Sequence, residues 1–88
     1  MGMLARKALD VSMETMTPEQ CRAGRALLFW SQKTLATNAG LGISTIYDFE
    51  RERRGSISQD AIRSIRLALE VGGIVFNENG SVKLRRRK

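Results

Sequence analysis

The side chains in this sequence best equipped for chemistry are its cations. Its 88 residues include 15 Lys and Arg against 9 Asp and Glu, a net charge of +6. The excess grows toward the C-terminus, through Arg51, Arg53 and Arg54 to a closing run of Arg85, Arg86, Arg87 and Lys88. Each Lys or Arg set against a phosphate releases a condensed counterion, so this imbalance favours a polyanionic partner. The same inventory argues against catalysis. There is no His, so imidazole acid–base relays and histidine metal ligands are absent, and the single Cys21 cannot build a thiolate zinc site. The acidic residues sit mostly beside Arg or Lys, as in Asp48-Phe49-Glu50-Arg51-Glu52-Arg53, and no glycine-rich phosphate loop of the Walker or dinucleotide type occurs. A binding protein is expected rather than an enzyme, with no cofactor and no metal.

Whatever binds must be positioned by a small fold. A hydrophobic fraction of 42% with 27% charged residues suits one globular domain with a modest core. A lone cysteine forms no internal disulfide. With neither a secretory signal nor an apolar run of bilayer length, the expected setting is a reducing compartment, the cytoplasm and its nucleoid, away from membranes. Residues 1–16 offer Leu4, Ala8 and Val11, enough for a turn or two of amphipathic helix, but read better as a disordered lead-in.

Structure is announced by Thr17-Pro18-Glu19-Gln20, where Thr17 can cap a helix, Pro18 suits its first position and Gln20 completes a capping box. The helix that follows, to about Phe29, carries Cys21, Gly24, Leu27 and Leu28 as its apolar stripe, which makes Cys21 a small core residue. Ser31 caps a second helix, with Trp30 and Leu35 spaced as a hydrophobic staple and Leu35, Ala36 and Ala39 facing inward. Gly40 ends that helix and Leu41 plugs the turn. A third helix, from near Gly42 through Arg51, buries Ile46 and Phe49 and leaves Ile43, Ser44, Tyr47 and Asp48 outward. Beyond the basic segment 51–55, Ser58 caps a fourth helix with Ala61, Ile62, Ile65 and Leu69 inward, ended by Gly72-Gly73. Ile74-Val75-Phe76 and Ser81-Val82-Lys83-Leu84 then read as a hairpin through a tight primed turn at Asn79-Gly80. A lone hairpin is marginal in water, so its apolar side chains must cover the helical core or pair with another subunit.

The run Gln32, Leu35, Ala36, Ala39, Gly40, Leu41, Ile46, Phe49, Glu50 resembles the helix-turn-helix of the xenobiotic-response-element (lambda repressor/Cro-like) family of DNA-binding regulators. The resemblance spans about residues 16–69 and includes a paired Arg25 in the first helix and Glu50 at the end of the third. One departure is Glu52, where the family often has glycine. The implied fold is mainly α: a lambda-repressor-like four-helix domain over 17–71 containing a helix-turn-helix, then a short C-terminal β-hairpin or strand pair over 72–84 and a basic tail over 85–88.

The resemblance also implies a division of labour at double-stranded DNA. Ile43, Ser44, Tyr47 and Asp48 match base-reading positions. Ile43 can meet a thymine methyl, Ser44 a base or a phosphate, and Asp48 can accept from cytosine N4 or equally serve as a surface charge beside Arg51. Gln32 at the start of the second helix, Thr45, Arg51, Arg53 and Arg54 match phosphate-contacting positions. The tail of Arg85, Arg86, Arg87 and Lys88 can follow the backbone, reach a minor groove or stay solvated. Arg25 and Glu50 form a structural ion pair. A module this small makes few base contacts, so a homodimer on a palindromic operator is expected, through the hairpin first and the outer side of the fourth helix second. The implied role is a transcriptional regulator, a repressor or controller. The alternatives are an antitoxin-like or anti-activator module that binds a protein, and a nonspecific nucleic-acid binder working through its tail.

Overall fold

A computed structural model of the chain describes residues 16–51 and 57–85. Within them the chain forms α1 (Pro18–Leu28), α2 (Gln32–Ala39), α3 (Ile43–Glu50) and α4 (Gln59–Gly72), followed by strands β1 (Ile74–Phe76) and β2 (Val82–Leu84). The fold is mainly helical with one short antiparallel sheet. None of these helices is long and apolar enough to cross a membrane. Of the sequence expectations, the lead-in over 1–15, the segment containing Arg53 and Arg54, and the tail residues Arg86, Arg87 and Lys88 lie outside the described residues.

Three of the four described helices start where a side chain can satisfy their free amides. The Thr17 hydroxyl accepts from the Gln20 amide at 3.0 Å while the Gln20 side chain accepts from the Thr17 amide at 2.9 Å, a complete capping box. Ser31 and Ser58 cap α2 and α4 through the amides of Thr34 and Ala61. α3 alone begins without a side-chain cap, at Gly42. Between α2 and α3 the chain turns at Gly40, whose φ of 72° belongs to the left-handed region that glycine enters without penalty.

α2 packs against both α3 and α4, with α1 laid across α3, α4 and the hairpin. Phe49, Leu35, Ile46, Ile65, Leu69 and Ile74 are the large side chains at the centre. Burying each stabilises the fold by about 1.5 to 3 kcal/mol relative to exposure. Met16, expected in the lead-in, belongs to this core. It precedes the N-cap and Cys21 lies five residues on, which is the placement of a hydrophobic staple, and both side chains join the core cluster. Leu27, expected in the inward stripe of α1, is instead exposed at its C-terminal end, where Gly24 provides the close approach to Leu69.

The hairpin pairs Ile74 with Leu84, Val75 with Lys83 and Phe76 with Val82. Its connection differs from the primed turn expected. Gly80 donates to the Asn77 carbonyl at 3.0 Å and Asn77 donates to the Ser81 carbonyl at 2.9 Å. Glu78 and Asn79 both keep negative φ and only Gly80, at 92°, is left-handed. This is a longer loop built on an ordinary turn with a glycine bulge, which needs one positive φ rather than two. The sheet covers the core through buried Ile74 and the partly buried Phe76 and Val82. A long-range bond fastens it: the Gln20 amide nitrogen of the capping box donates to the Gly80 carbonyl at 3.0 Å.

Candidate nucleic-acid interface

The candidate interface is centred on α3, whose orientation is set by one buried carboxylate. Glu50, at the last turn of α3, is 6% exposed, the one buried charged side chain among the described residues. Arg25 of α1 grips it with two parallel hydrogen bonds, Nε to Oε2 and Nη2 to Oε1, both 2.8 Å. The third guanidinium nitrogen, Nη1, donates to the Trp30 carbonyl at 3.0 Å. The remaining Glu50 lone pairs take the Cys21 thiol and the Gln32 amide nitrogen, each at 3.1 Å. Every buried side-chain polar atom among the described residues has a partner.

The electrostatics follow from this arrangement. Burial pushes the Glu50 carboxyl toward protonation, but the bonds from Arg25, Cys21 and Gln32 outweigh it and hold its pKa below the ordinary carboxylate range. The Arg25 guanidinium is held more firmly charged by the same hydrogen bonds. Burial, and then the adjoining Glu50, pushes the Cys21 thiol far above its ordinary value, so it stays protonated and serves as a donor. No group of three His, Cys, Asp or Glu side chains among the described residues is placed to hold a metal.

The outward side of α3 carries a stripe of Ser44, Tyr47 and Arg51, all exposed and spaced three and four residues apart. The Arg51 guanidinium lies 5.8 Å from the centre of the Tyr47 ring, within cation–π range. Asp48 and Thr45 are half-buried at the edges of this stripe. Ile43 was expected outward; it is half-buried and packs against the core, because the short turn from Gly40 brings the first residue of α3 down onto α2. Gln32 was expected to face a phosphate, and its amide nitrogen is committed to Glu50. Its position at the start of α2 is as read, but its side chain completes the junction between α2 and α3. Arg85 is exposed, and its amide extends the hairpin ladder by donating to the Gly73 carbonyl at 2.6 Å.

Two cations at this face went unassigned in the sequence reading. Arg22 donates from Nη1 to the Glu50 carbonyl, which puts a second guanidinium at the C-terminus of α3 beside Arg51 and favourably placed for the helix dipole. Its spacing of three from Arg25 on α1 was the signal that could have found it. Lys33 is exposed in the first turn of α2. The chain matches no protein-family model and shows no significant similarity to any curated protein.

Proposed function

We propose that the chain is a sequence-specific DNA-binding regulator of the lambda repressor/Cro-like type, with α3 in the major groove and α2 across the backbone. The observation that carries this reading is the rigid presentation of a polar stripe. Ser44, Tyr47 and Arg51 stand outward on a short helix whose inner face is locked to α1 and α2 through Glu50. Base recognition depends on holding side chains at a fixed angle and depth, and a bidentate buried ion pair supplies that stiffness. Tyr47 brings a flat amphipathic surface, Ser44 a hydroxyl for base or phosphate, and Asp48 an acceptor for cytosine N4. Arg22, Arg51, Lys33 and, further along the chain, Arg53 and Arg54 supply phosphate contacts, which position the protein without reading sequence. Two copies on a palindrome about one helical turn apart supply the specificity that one module lacks.

The test is selection of bound duplexes in vitro, followed by salt titrations on the selected and scrambled sequences. A specific regulator keeps a large affinity ratio as salt rises; a nonspecific binder shows a small ratio and a steep slope. On the selected site, Ser44→Ala and Asp48→Ala should change preference among variants by about 1 to 3 kcal/mol at one or two base pairs, with the salt slope unchanged. The Arg53→Ala/Arg54→Ala double variant should weaken every duplex alike and flatten the slope by about one unit per lost phosphate contact. Equal, uniform losses from both sets would remove α3 as the reading helix.

A further inference from the structure

On the side of the molecule formed by α4 and the end of α2, the surface is apolar. Trp30, Asn38, Ala39, Ser64, Leu67, Ala68, Val71 and Gly72 line a cleft of about 260 Å³, enough to seat one aromatic side chain. The Trp30 ring forms one wall against the backbone of Gly72, where an added Cβ would come within 2.9 Å of it. Val71 is 78% and Leu67 59% exposed beside the opening. Phe29, the residue before that tryptophan, is 96% exposed and is the one non-glycine residue with positive φ among the described residues, at 59°. A bulky side chain is a poor choice for a left-handed helix end, where glycine or asparagine does the work without strain. Among the described residues the ring gains almost no burial in return.

The charges beside this face are self-complementary. On α4, Ser64, Leu67 and Val71 lie along one stripe, with Arg63 and Glu70 flanking it on the same edge, seven residues apart. Two α4 helices crossing antiparallel about a two-fold axis near Leu67 bring Arg63 of each copy opposite Glu70 of the other. Within α4, Arg63 bonds Asp60 at 2.8 Å in an exposed pair, and the half-buried Glu70 bonds Arg66 at 3.1 Å; pairs of this kind contribute little to stability, so forming a contact across the axis costs little.

We infer that the α4–Trp30 cleft is the docking surface for a second copy of this chain, each protomer inserting Phe29 at the cleft of the other while Arg63 and Glu70 pair across the axis. An aromatic anchor in an apolar pocket with charges at the rim is the anatomy of a specific interface. The hairpin spends Ile74, Phe76 and Val82 on the core.

Sedimentation velocity on the full chain without DNA, over a concentration series, tests the proposal independently of DNA recognition. Wild type should show a monomer–dimer equilibrium, and Phe29→Gly should weaken it by at least about tenfold, the scale expected for an aromatic anchor. Because glycine suits this backbone conformation, that variant should melt no lower than wild type at concentrations where both are monomeric. The charge reversals R63E and E70R should each weaken the dimer by about fivefold or more, and the double reversal R63E/E70R should restore it, since only an antiparallel pair re-forms both contacts. A chain monomeric at every concentration overturns the proposal. So does a dimer indifferent to Phe29→Gly, or one that the double reversal fails to rescue. A partner of other chemistry on this face would appear as the first of these outcomes.

Discussion

Besides its contact with the hairpin, helix α1 meets two other helices through junctions of opposite character. Toward α3 the contact is polar: a buried carboxylate on Glu50 shared among Arg25, Cys21 and Gln32. Toward α4 the contact is made by the absence of side chains. A Cβ on Gly24 would sit 3.3 Å from Leu69, and one on Gly72 would strike the Trp30 and Leu28 side chains at 2.9 to 3.0 Å. The polar junction is directional and admits few arrangements, since every donor has to find its lone pair. The glycine junction is governed by volume alone. The directional junction lies behind the outward stripe of α3, where orientation matters for recognition; the volumetric one lies behind the apolar face of α4, where shape is what a partner would meet.

The sharpest way to break this contrast is to remove one half of the ion pair. Arg25→Ala leaves Glu50 buried without its main counter-charge and should destabilise the fold by about 3 to 5 kcal/mol in denaturant melts. Replacing both Arg25 and Glu50 with apolar residues of similar volume should be much milder, because no charge is then stranded. If the single and double replacements cost the same, the junction is not held electrostatically.

The glycine junction should fail through crowding. Gly72→Ala pushes a methyl into the Trp30 ring and should destabilise by about 1 kcal/mol, the low end of the overpacking range, because the indole borders a cleft into which it can give. Trp30 is the only tryptophan in the chain, so its emission should shift in this variant. An unshifted spectrum would mean the indole does not rest on Gly72.

Acid separates the two junctions without mutation. The Glu50 carboxyl has a lower pKa in the folded chain than an ordinary carboxyl has when unfolded, so its contribution is fully present above the ordinary carboxylate range and is lost as pH falls through the folded value. Stability measured from pH 7 downward should therefore decline in wild type and in Gly72→Ala alike, with a flatter acid limb in Glu50→Gln. The Cys21 thiol, its pKa raised, acts at the other end: its contribution is intact below the ordinary thiol range and declines above it. The remaining effect belongs to neither junction. Phe29→Gly relieves a left-handed bulky residue and should raise monomer stability by about 1 kcal/mol.

Local signals carried most of the element boundaries. The Thr17–Gln20 capping box, the caps at Ser31 and Ser58 and the left-handed Gly40 and Gly73 are where chain-neighbour chemistry says they must be, because each is satisfied within a few residues. Periodicity likewise identified Leu35, Ile46, Phe49, Ile65 and Leu69 as core. The pairing of Arg25 with Glu50 was reachable from the family resemblance. Tertiary structure alone decided the rest. It enlisted Gln32 and Cys21 as further donors to Glu50, turned Ile43 inward, put Arg22 at the end of α3, buried Met16 and left Phe29 in the open. These outcomes depend on which surfaces residues 18 to 29 apart in sequence present to one another. The two adjacent glycines show the distinction most plainly. Gly73 is a backbone requirement, with φ of 118° at a helix end, and its kind is written in the sequence. Gly72 has helical geometry that any residue could adopt; it is constrained because the indole from 42 positions earlier, with Leu28 beside it, needs the space.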